Sequence, residues 1–115
     1  MNIRFDASNI DKTIIDNPEF GNEHIRVTNQ CLYKDGKPWL PVMGEMHYSR
    51  FPEKYWRRSL RLMKEGGIDI VASYVFWNHH EEEKGNFRFD GNLNIRKFVK
   101  LCAEEGMYFF LRVGP

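Results

Sequence analysis

The chain has 115 residues, of which 42% are hydrophobic and 29% are charged, a composition typical of one small globular domain. The formal net charge is +1, and the basic residues between Arg57 and Lys64 are interrupted by apolar ones. This pattern indicates the solvated face of a helix, so we expect no nucleic-acid partner. The two cysteines, Cys31 and Cys102, are too few for a disulfide framework and lack the spacing of a zinc site. Both are predicted to be small buried hydrophobic residues.

Residues 1–22 are polar and show no periodicity, so they are predicted to form a leader or flexible arm. They contain no apolar core of the length that a secretory signal needs. The longest purely apolar run, residues 107–111, is too short to cross a bilayer, so we expect no membrane partner. The sequence leaves the oligomeric state open. It also leaves the compartment open: cytoplasmic by default, or periplasmic or secreted if a longer parent protein carries a signal.

A β-hairpin is predicted after the arm. Polar and apolar residues alternate from His24 onward, which is typical of a strand, and Cys31-Leu32-Tyr33 follows. Asp35-Gly36 is the turn dipeptide of a tight hairpin. The segment 38–43 is predicted to return as a second extended segment, and its two prolines favour a sheet edge or a strand entry.

Two helices are predicted further along the chain. Pro52 stands at the first turn of a helix from about residue 53 to residue 65, which the glycines at 66 and 67 end. A second helix ends at Gly106, and the apolar residues of its buried face are Ile95, Phe98, Val99 and Cys102.

The continuous apolar run at 68–77 predicts a strand covered on both faces, and the run at 107–113 predicts another. The order is therefore strand, helix, strand, helix, strand, with strands near residues 40, 69 and 107. Such alternation implies crossover connections and a parallel sheet.

Polar side chains collect where each predicted strand ends. The sequence GEMHYSR follows the first strand, NHHEEE follows the second, and Arg112 lies at the end of the third. Chemistry at the carboxyl ends of parallel strands is typical of (β/α)8 barrels and of doubly wound sheets. A nucleotide-binding doubly wound sheet would carry a glycine-rich turn after its first strand, and this sequence has none there. The barrel is therefore favoured.

The segment 78–83 raises the question of a metal site. An HExxH motif would need a histidine where Lys84 stands, and adjacent histidines on an extended segment point to opposite sides. A hydrogen-bonded strand exit is favoured over a metal site, and we expect no metal or other cofactor.

Two carboxylates, Glu45 and Glu81, follow neighbouring predicted strands. They are compatible with an acid/base or nucleophile pair, or with acceptors for sugar hydroxyls. The alternative is that each pairs with a nearby arginine or histidine, such as Arg50 or His47, and the sequence leaves both interpretations open. Aromatic residues at the same strand ends suit a sugar-binding pocket, because aromatic rings stack on apolar sugar faces. The candidates are Tyr48, Tyr74 and Trp77.

The stretch from residue 44 to residue 115 resembles the start of the catalytic domain of glycoside hydrolase family 35, the β-galactosidase family. The matching motifs are HYSRFP, YW and MK in the first helix, YVFWN followed by His80-Glu81, FRFDGN, and LRVGP. They occur in collinear order, and the resemblance extends over about residues 31–115. Four positions depart from the family pattern and suggest a divergent branch: Ser59 replaces arginine, Asp69 asparagine, Glu82 proline and Asn94 aspartate.

The resemblance implies that residues 23–115 are the truncated N-terminal part of a catalytic barrel, preceded by the arm at 1–22. They would hold a β-hairpin, then the first three strands and two helices of an incomplete (β/α)8 barrel. The implied reaction is the hydrolysis of terminal β-galactosyl residues of glycans or oligosaccharides, with retention of configuration and without a cofactor.

The resemblance places the two catalytic glutamates at the ends of the fourth and seventh strands, beyond Pro115, so this chain alone is expected to be inactive. Among the residues present, Tyr74 matches a tyrosine that contacts the sugar at the cleavage subsite. The residues that match the rim of this pocket are Glu45, His47, Trp77 and Asn78. The alternatives are another exo-glycosidase, such as a β-glucosaminidase, or a non-catalytic carbohydrate-binding relative.

Overall fold

A computed structural model describes residues 13–114 of the chain. The chain divides into two compact units, one up to Leu40 and one from Pro41 onward. Most of the predicted arm, residues 1–12, lies outside the described residues. Within residues 13–114, no helix has both the length and the apolar character needed to span a membrane.

The N-terminal unit contains a three-stranded antiparallel sheet in the order β1 (Ile25–Val27), β2 (Leu32–Lys34) and β3 (Lys37–Trp39). Asp35 and Gly36 connect β2 to β3 with φ angles of 48° and 79°. A two-residue hairpin turn requires such positive φ values, so the predicted Asp-Gly turn is confirmed. Residues of the predicted arm that precede β1 are hydrogen-bonded to it: the N–H of Asn17 donates to the carbonyl of Val27 at 2.8 Å.

The prediction of one extended segment over residues 38–43 is wrong. β3 ends at Trp39, and β4 (Met43–Glu45) belongs to a different sheet. Pro41 has no N–H to donate to a strand ladder, and the N–H of Val42 donates to the carboxylate of Asp69 at 3.0 Å. The chain therefore leaves one sheet before it enters the other, and Gly44 and Glu45, which were predicted to follow the first strand, are part of it.

The C-terminal unit contains a parallel sheet in the order β4, β5 (Ile70–Phe76) and β6 (Tyr108–Gly114). Helix α1 (Trp56–Glu65) connects β4 to β5 and is preceded by a 3-10 turn, Glu53–Tyr55. A short helix, α2 (Trp77–His80), follows β5 directly, and α3 (Ile95–Glu104) leads to β6. The predicted alternation and the parallel pairing are confirmed, whereas α2 was not predicted.

A hydrophobic core fills the space between the two longer helices and one face of this sheet. Phe98 of α3 is fully buried at its centre, and its ring lies 5.2 Å from that of Trp56 and 5.6 Å from that of Tyr48. Burial of one such large apolar side chain contributes about 1.5–3 kcal/mol to folding. The buried residues of the core are Tyr48, Trp56, Leu60, Val71, Val75, Phe98, Leu101, Cys102 and Met107.

Several residues predicted to be buried are exposed instead. Val99, predicted on the buried face of the second helix, is 36% exposed. The prediction that the run at 107–113 is covered on both faces is also wrong, because most residues of β6 are exposed. Phe110 is 48% exposed because it lies on the face of β6 opposite to Phe109, which packs against Phe98. Cys31 is exposed in the connection between β1 and β2, where its N–H donates to the hydroxyl of Thr28.

Ion pairs join α1 to α3 on the outer surface of the core. Arg57 contacts both Glu104 and Glu105, at 2.5 Å in the second case, and Arg61 contacts Glu105 at 3.0 Å. Hydrogen bonds from Arg61 and Arg57 lower the pKa of Glu105 below its usual value. Two arginines of the basic patch predicted to be a helix face, Arg57 and Arg61, are thus paired with acidic residues at the end of α3.

Two of the four departures from the family pattern make hydrogen bonds that the usual residue could also make. Asp69 accepts the N–H of Val42 just before β4. Asn94 is the N-cap of α3 and accepts the N–H of Lys97 at 3.0 Å. An asparagine at 69 and an aspartate at 94 each carry an oxygen that can accept the same bond.

Candidate functional site

The strand register brings three polar or aromatic residues to one face of the parallel sheet. Glu45 of β4 pairs with Ala72, and Tyr74, two residues further along β5, pairs with Arg112 of β6. Because partners across parallel strands share a face, all three lie opposite to Val71, which faces the helices and the core. These residues and His47 form what we call the strand-end cluster.

His47 takes over a hydrogen bond that the backbone of β4 no longer provides. β4 ends at Glu45, and the N–H of Tyr74 donates to the imidazole Nδ1 of His47 at 3.2 Å. An acceptor nitrogen carries no proton in neutral imidazole, so the ring proton lies on Nε2. Nε2 is 3.1 Å from Oε1 of Glu45 and donates to it. The tautomer of His47 is therefore set by its two partners.

Arg112 connects the two outer strands across β5. Its guanidinium forms an ion pair with Oε1 of Glu45 and lies over the ring of Tyr74, with Cζ 4.6 Å from the centroid. The Nε of Arg112 is buried and has no hydrogen-bond partner within residues 13–114. The sequence identified Arg112 as a polar residue at a strand end but did not identify it as a site residue, since its partners depend on the register.

Tyr74 is held between aromatic, cationic and glycine neighbours. Its ring stacks on that of Phe76 with a centroid separation of 5.5 Å and an interplanar angle of 24°. A Cβ atom at Gly114 would overlap Cε1 of Tyr74, so a side chain there would displace the ring. The guanidinium of Arg50 also lies over the Phe76 ring, with Cζ 4.7 Å from the ring centroid. The half-buried ring of Tyr74 thus lies beside the imidazole of His47, with a centroid separation of 6.2 Å, and under the guanidinium of Arg112.

Trp77 and Asn78 lie on α2, outside the contacts of the strand-end cluster. The indole N–H of Trp77 donates to Oε2 of Glu81 at 2.7 Å, and its ring packs against Phe87 at 5.4 Å. Both Trp77 and Asn78 are exposed. The structure therefore brings together Glu45, His47 and Tyr74 of the five predicted site residues, and it gives Trp77 other partners.

The prediction that the histidines extend the strand is wrong, because residues 77–80 form a helical turn. His80 is 1% exposed, and its Nδ1 lies 2.7 Å from the carbonyl oxygen of Arg88. Nδ1 must therefore carry the proton, and Nε2 accepts the hydroxyl proton of Tyr48 at 2.6 Å. This is the hydrogen-bonded alternative to a metal site. Within the described residues, no three His, Cys, Asp or Glu side chains group together as metal ligands.

Tyr48 belongs to the core and does not line a pocket. It is fully buried, and this burial raises the pKa of its hydroxyl to about 12. A neutral Tyr48 hydroxyl is the donor that the Nε2 atom of His80 needs. The prediction of Tyr48 as a pocket residue is therefore wrong, and the physical reason is that the 3-10 turn Tyr48–Arg50 directs this ring toward Phe98.

The two carboxylates weighed as a catalytic pair have separate partners. Glu45 pairs with His47, as one alternative proposed, and with Arg112 instead of Arg50. Glu81 accepts the N–H of Gly85 through Oε1 at 2.7 Å, in addition to the indole of Trp77. Glu81 thus closes the loop that follows α2.

A cavity of about 440 Å³ lies in the N-terminal unit, and none of the predicted site residues lines it. Its charged groups are paired with one another: Arg26 contacts Asp16 at 3.2 Å and lies over the ring of Tyr33 at 4.4 Å. These contacts indicate a structural role for its lining residues.

Residues 31–115 match the sequence profile of glycosyl hydrolases family 35. A β-galactosidase of Canis lupus familiaris is 42% identical over 91 residues, which cover 79% of this chain and 14% of that protein. The human β-galactosidase-1-like protein 2 is 47% identical over 84 residues, covering 73% of this chain and 13% of that protein. β-Galactosidase 8 of Arabidopsis thaliana is 38% identical over 92 residues, covering 80% of this chain and 11% of that protein.

A solved structure of a similar fold is the β-galactosidase from the psychrophilic Marinomonas ef1, with a TM-score of 0.54 and 16% identity. The match covers 63% of this chain and 11% of that one. The chain spans between 11% and 14% of the length of the three curated relatives above. The family profile nevertheless covers most of the chain, so the protein belongs to glycosyl hydrolases family 35.

Proposed function

We propose that this chain is the N-terminal part of the catalytic barrel of a retaining exo-β-galactosidase. In this proposal β4, β5 and β6 are the first three strands of a (β/α)8 barrel, and α1 and α3 are its first two helices. Residues 1–22 precede the barrel region, which begins with the hairpin. The parallel order β4-β5-β6 and the family membership support this assignment, as do relatives named β-galactosidases that are several times longer than this chain.

The observation that carries the proposal is the strand-end cluster. In a (β/α)8 barrel the substrate binds at the carboxyl ends of the strands, and the cluster lies at the carboxyl ends of β4 and β5. The ring of Tyr74 would contact the sugar at the cleavage subsite. The contacts of Glu45 within the cluster use Oε1, so its Oε2 offers an acceptor for a sugar hydroxyl. Trp77 and Asn78, which follow β5 directly, would lie at the rim.

The catalytic carboxylates belong to a different part of the proposed enzyme. Retaining glycosidases use two carboxyl groups about 5–5.5 Å apart, one as acid/base and one as nucleophile. The proposal assigns them to the ends of the fourth and seventh strands, which follow Pro115. The chain of 115 residues is therefore expected to hydrolyse no β-galactoside.

The test compares two polypeptides: this chain, and the product of the reading frame followed beyond Pro115. With a nitrophenyl β-galactoside, the longer polypeptide is expected to release nitrophenol and β-galactose. NMR identifies the anomer of galactose that forms first and thereby tests retention of configuration. This chain alone is expected to release none. In the longer polypeptide, Tyr74→Ala is expected to reduce kcat/KM strongly, whereas Tyr55→Ala, at an exposed position of the same unit, serves as the matched control.

Three results would contradict the proposal in different ways. Hydrolysis by this chain alone would mean that its own carboxylates are catalytic. Preference of the longer polypeptide for a β-glucosaminide would assign a different exo-glycosidase activity. Galactose binding without hydrolysis would identify a carbohydrate-binding relative.

A further inference from the structure

The residue whose position the proposed function leaves unexplained is Arg112. It is partly buried, lies on the same sheet face as Tyr74 and reaches Glu45 two strands away. An ion pair with this degree of exposure contributes only about 0–1 kcal/mol to stability. The fold therefore gains little stability from an arginine at this position.

The geometry favours arginine over other cations. The guanidinium Cζ lies 4.6 Å from the Tyr74 centroid, within the distance of about 6 Å at which a cation is attracted to an aromatic face. A guanidinium is planar, so it can stack on a ring and donate hydrogen bonds at its edge at the same time, which a lysine ammonium cannot do. Glu45 provides the acceptor at that edge.

The ring of Tyr74 is thus restrained from several directions. Arg112 covers it, Phe76 stacks beside it, and Gly114 leaves the space that it occupies. The backbone of Tyr74 is held separately by the imidazole of His47. Among these restraints, Arg112 carries a charge, and its own position is fixed by the ion pair with Glu45 of β4.

We propose that Arg112 is a positioning residue of the sugar pocket: through its ion pair with Glu45 it holds the ring of Tyr74 in the orientation that receives the sugar. The part of this proposal that concerns the sugar rests on the proposed function. The part that concerns the ring depends on this chain alone, so the two are tested separately.

The first test uses the 115-residue chain with ring-labelled tyrosine and two-dimensional NMR. The Tyr74 resonance is assigned by its loss in Tyr74→Phe. Arg112→Gln is expected to shift this resonance while leaving that of the core residue Tyr48 unchanged. Arg112→Lys is expected to give a smaller shift because it keeps the charge. Arg96→Gln, an exposed arginine of α3, is the matched control and is expected to shift neither. An unchanged Tyr74 resonance in Arg112→Gln would overturn the proposal.

The second test uses the longer polypeptide and the steady-state constants for a β-galactoside. Arg112→Gln is expected to raise KM about tenfold with little change in kcat. The reason is that the lost contact would stabilise the bound substrate and the transition state equally. Arg112→Lys is expected to restore part of the loss. In a Tyr74→Leu background, Arg112→Gln is expected to cause no further increase, because it acts through the ring.

An equal increase in KM in both backgrounds would show that Arg112 does not act through Tyr74 and would overturn the proposal. If the longer polypeptide cleaves no β-galactoside, the proposed function fails, and the NMR shift of Tyr74 still decides whether Arg112 positions the ring.

Discussion

The hydroxyl of Tyr48 donates a buried hydrogen bond of 2.6 Å to Nε2 of His80. Tyr48 follows β4 and His80 ends α2 after β5, so this bond ties together the segments that leave two neighbouring strands. Nδ1 of His80 is in turn bonded to the carbonyl of Arg88 in the next loop. Both nitrogens of a nearly inaccessible imidazole are thus satisfied, as buried polar groups require.

Removal of the Tyr48 hydroxyl should destabilise the protein. In Tyr48→Phe the ring stays in the core but Nε2 of His80 loses its donor, and an unsatisfied buried acceptor costs about 1–3 kcal/mol. We expect the free energy of unfolding, measured by urea denaturation, to fall by that amount. Tyr55→Phe removes a hydroxyl from an exposed ring and is expected to change it little. Equal stability of the two variants would show that the Tyr48–His80 bond makes no net contribution.

The sequence predicted the long helices and strands, because their polar and apolar residues form a periodic pattern over many positions. The helices α1 and α3 and the long strands β5 and β6 lie within a few residues of their predicted positions. The predicted position of β4 is wrong because the strand has only three residues, whereas the apolar run that precedes it is longer and itself predicts a strand. Helix α2 has four residues, too few for helical periodicity to be visible.

The residues of the candidate site were likewise predicted only in part. Glu45 and Tyr74 were candidates from their places at strand ends, and the family resemblance added His47 as a site residue. The structure brings the three together. Arg112 was not assigned to the site because its partnership with Glu45 depends on the order and register of three strands. No local pattern contains that information, since the two residues are joined only by the sheet.

The N-cap of α3 provides a second test of stability. Asn94 accepts the N–H of Lys97, and replacement of such a cap by alanine costs about 0.5–2 kcal/mol. We expect this loss in Asn94→Ala, measured as a shift of the urea midpoint. Asn94→Asp keeps the acceptor and adds a negative charge at the helix N-terminus, so it should be at least as stable as the wild type. A loss of stability in Asn94→Asp equal to that in Asn94→Ala would exclude a capping role.

The two cysteines should differ sharply in reactivity. Cys102 is fully buried, and burial raises the pKa of its thiol to about 12, so almost none of the reactive thiolate forms at neutral pH. Cys31 is exposed. Iodoacetamide is expected to modify Cys31 in the native protein and Cys102 only after unfolding, as read by mass spectrometry of peptides. Modification of both at similar rates under native conditions would contradict the burial of Cys102.

Acid should weaken the contact between α1 and α3. Arg61 and Arg57 lower the pKa of Glu105 in the folded state relative to the unfolded state. The stabilisation that this provides is complete above the usual carboxyl pKa of about 4.3 and is lost as the pH falls through the lower folded value. The difference in unfolding free energy between the wild type and Glu105→Gln is therefore expected to shrink below that pH.

Urea titrations at neutral pH and at about pH 3 measure this difference, since the usual carboxyl pKa lies between them. Glu65→Gln, at an exposed position of α1, is the matched control and should show no such change. A difference for Glu105→Gln that is independent of pH would rule out the ion pairs as its source.

The parallel sheet has one further consequence. Its spatial order is its chain order: β4 pairs with β5, and β5 pairs with β6. Each strand therefore attaches to the one synthesised immediately before it, after a helix that packs on the same core. Because domains form from the N-terminus during synthesis, a nascent chain with this topology can extend its sheet at one growing edge as each strand leaves the ribosome, without waiting for a distant partner.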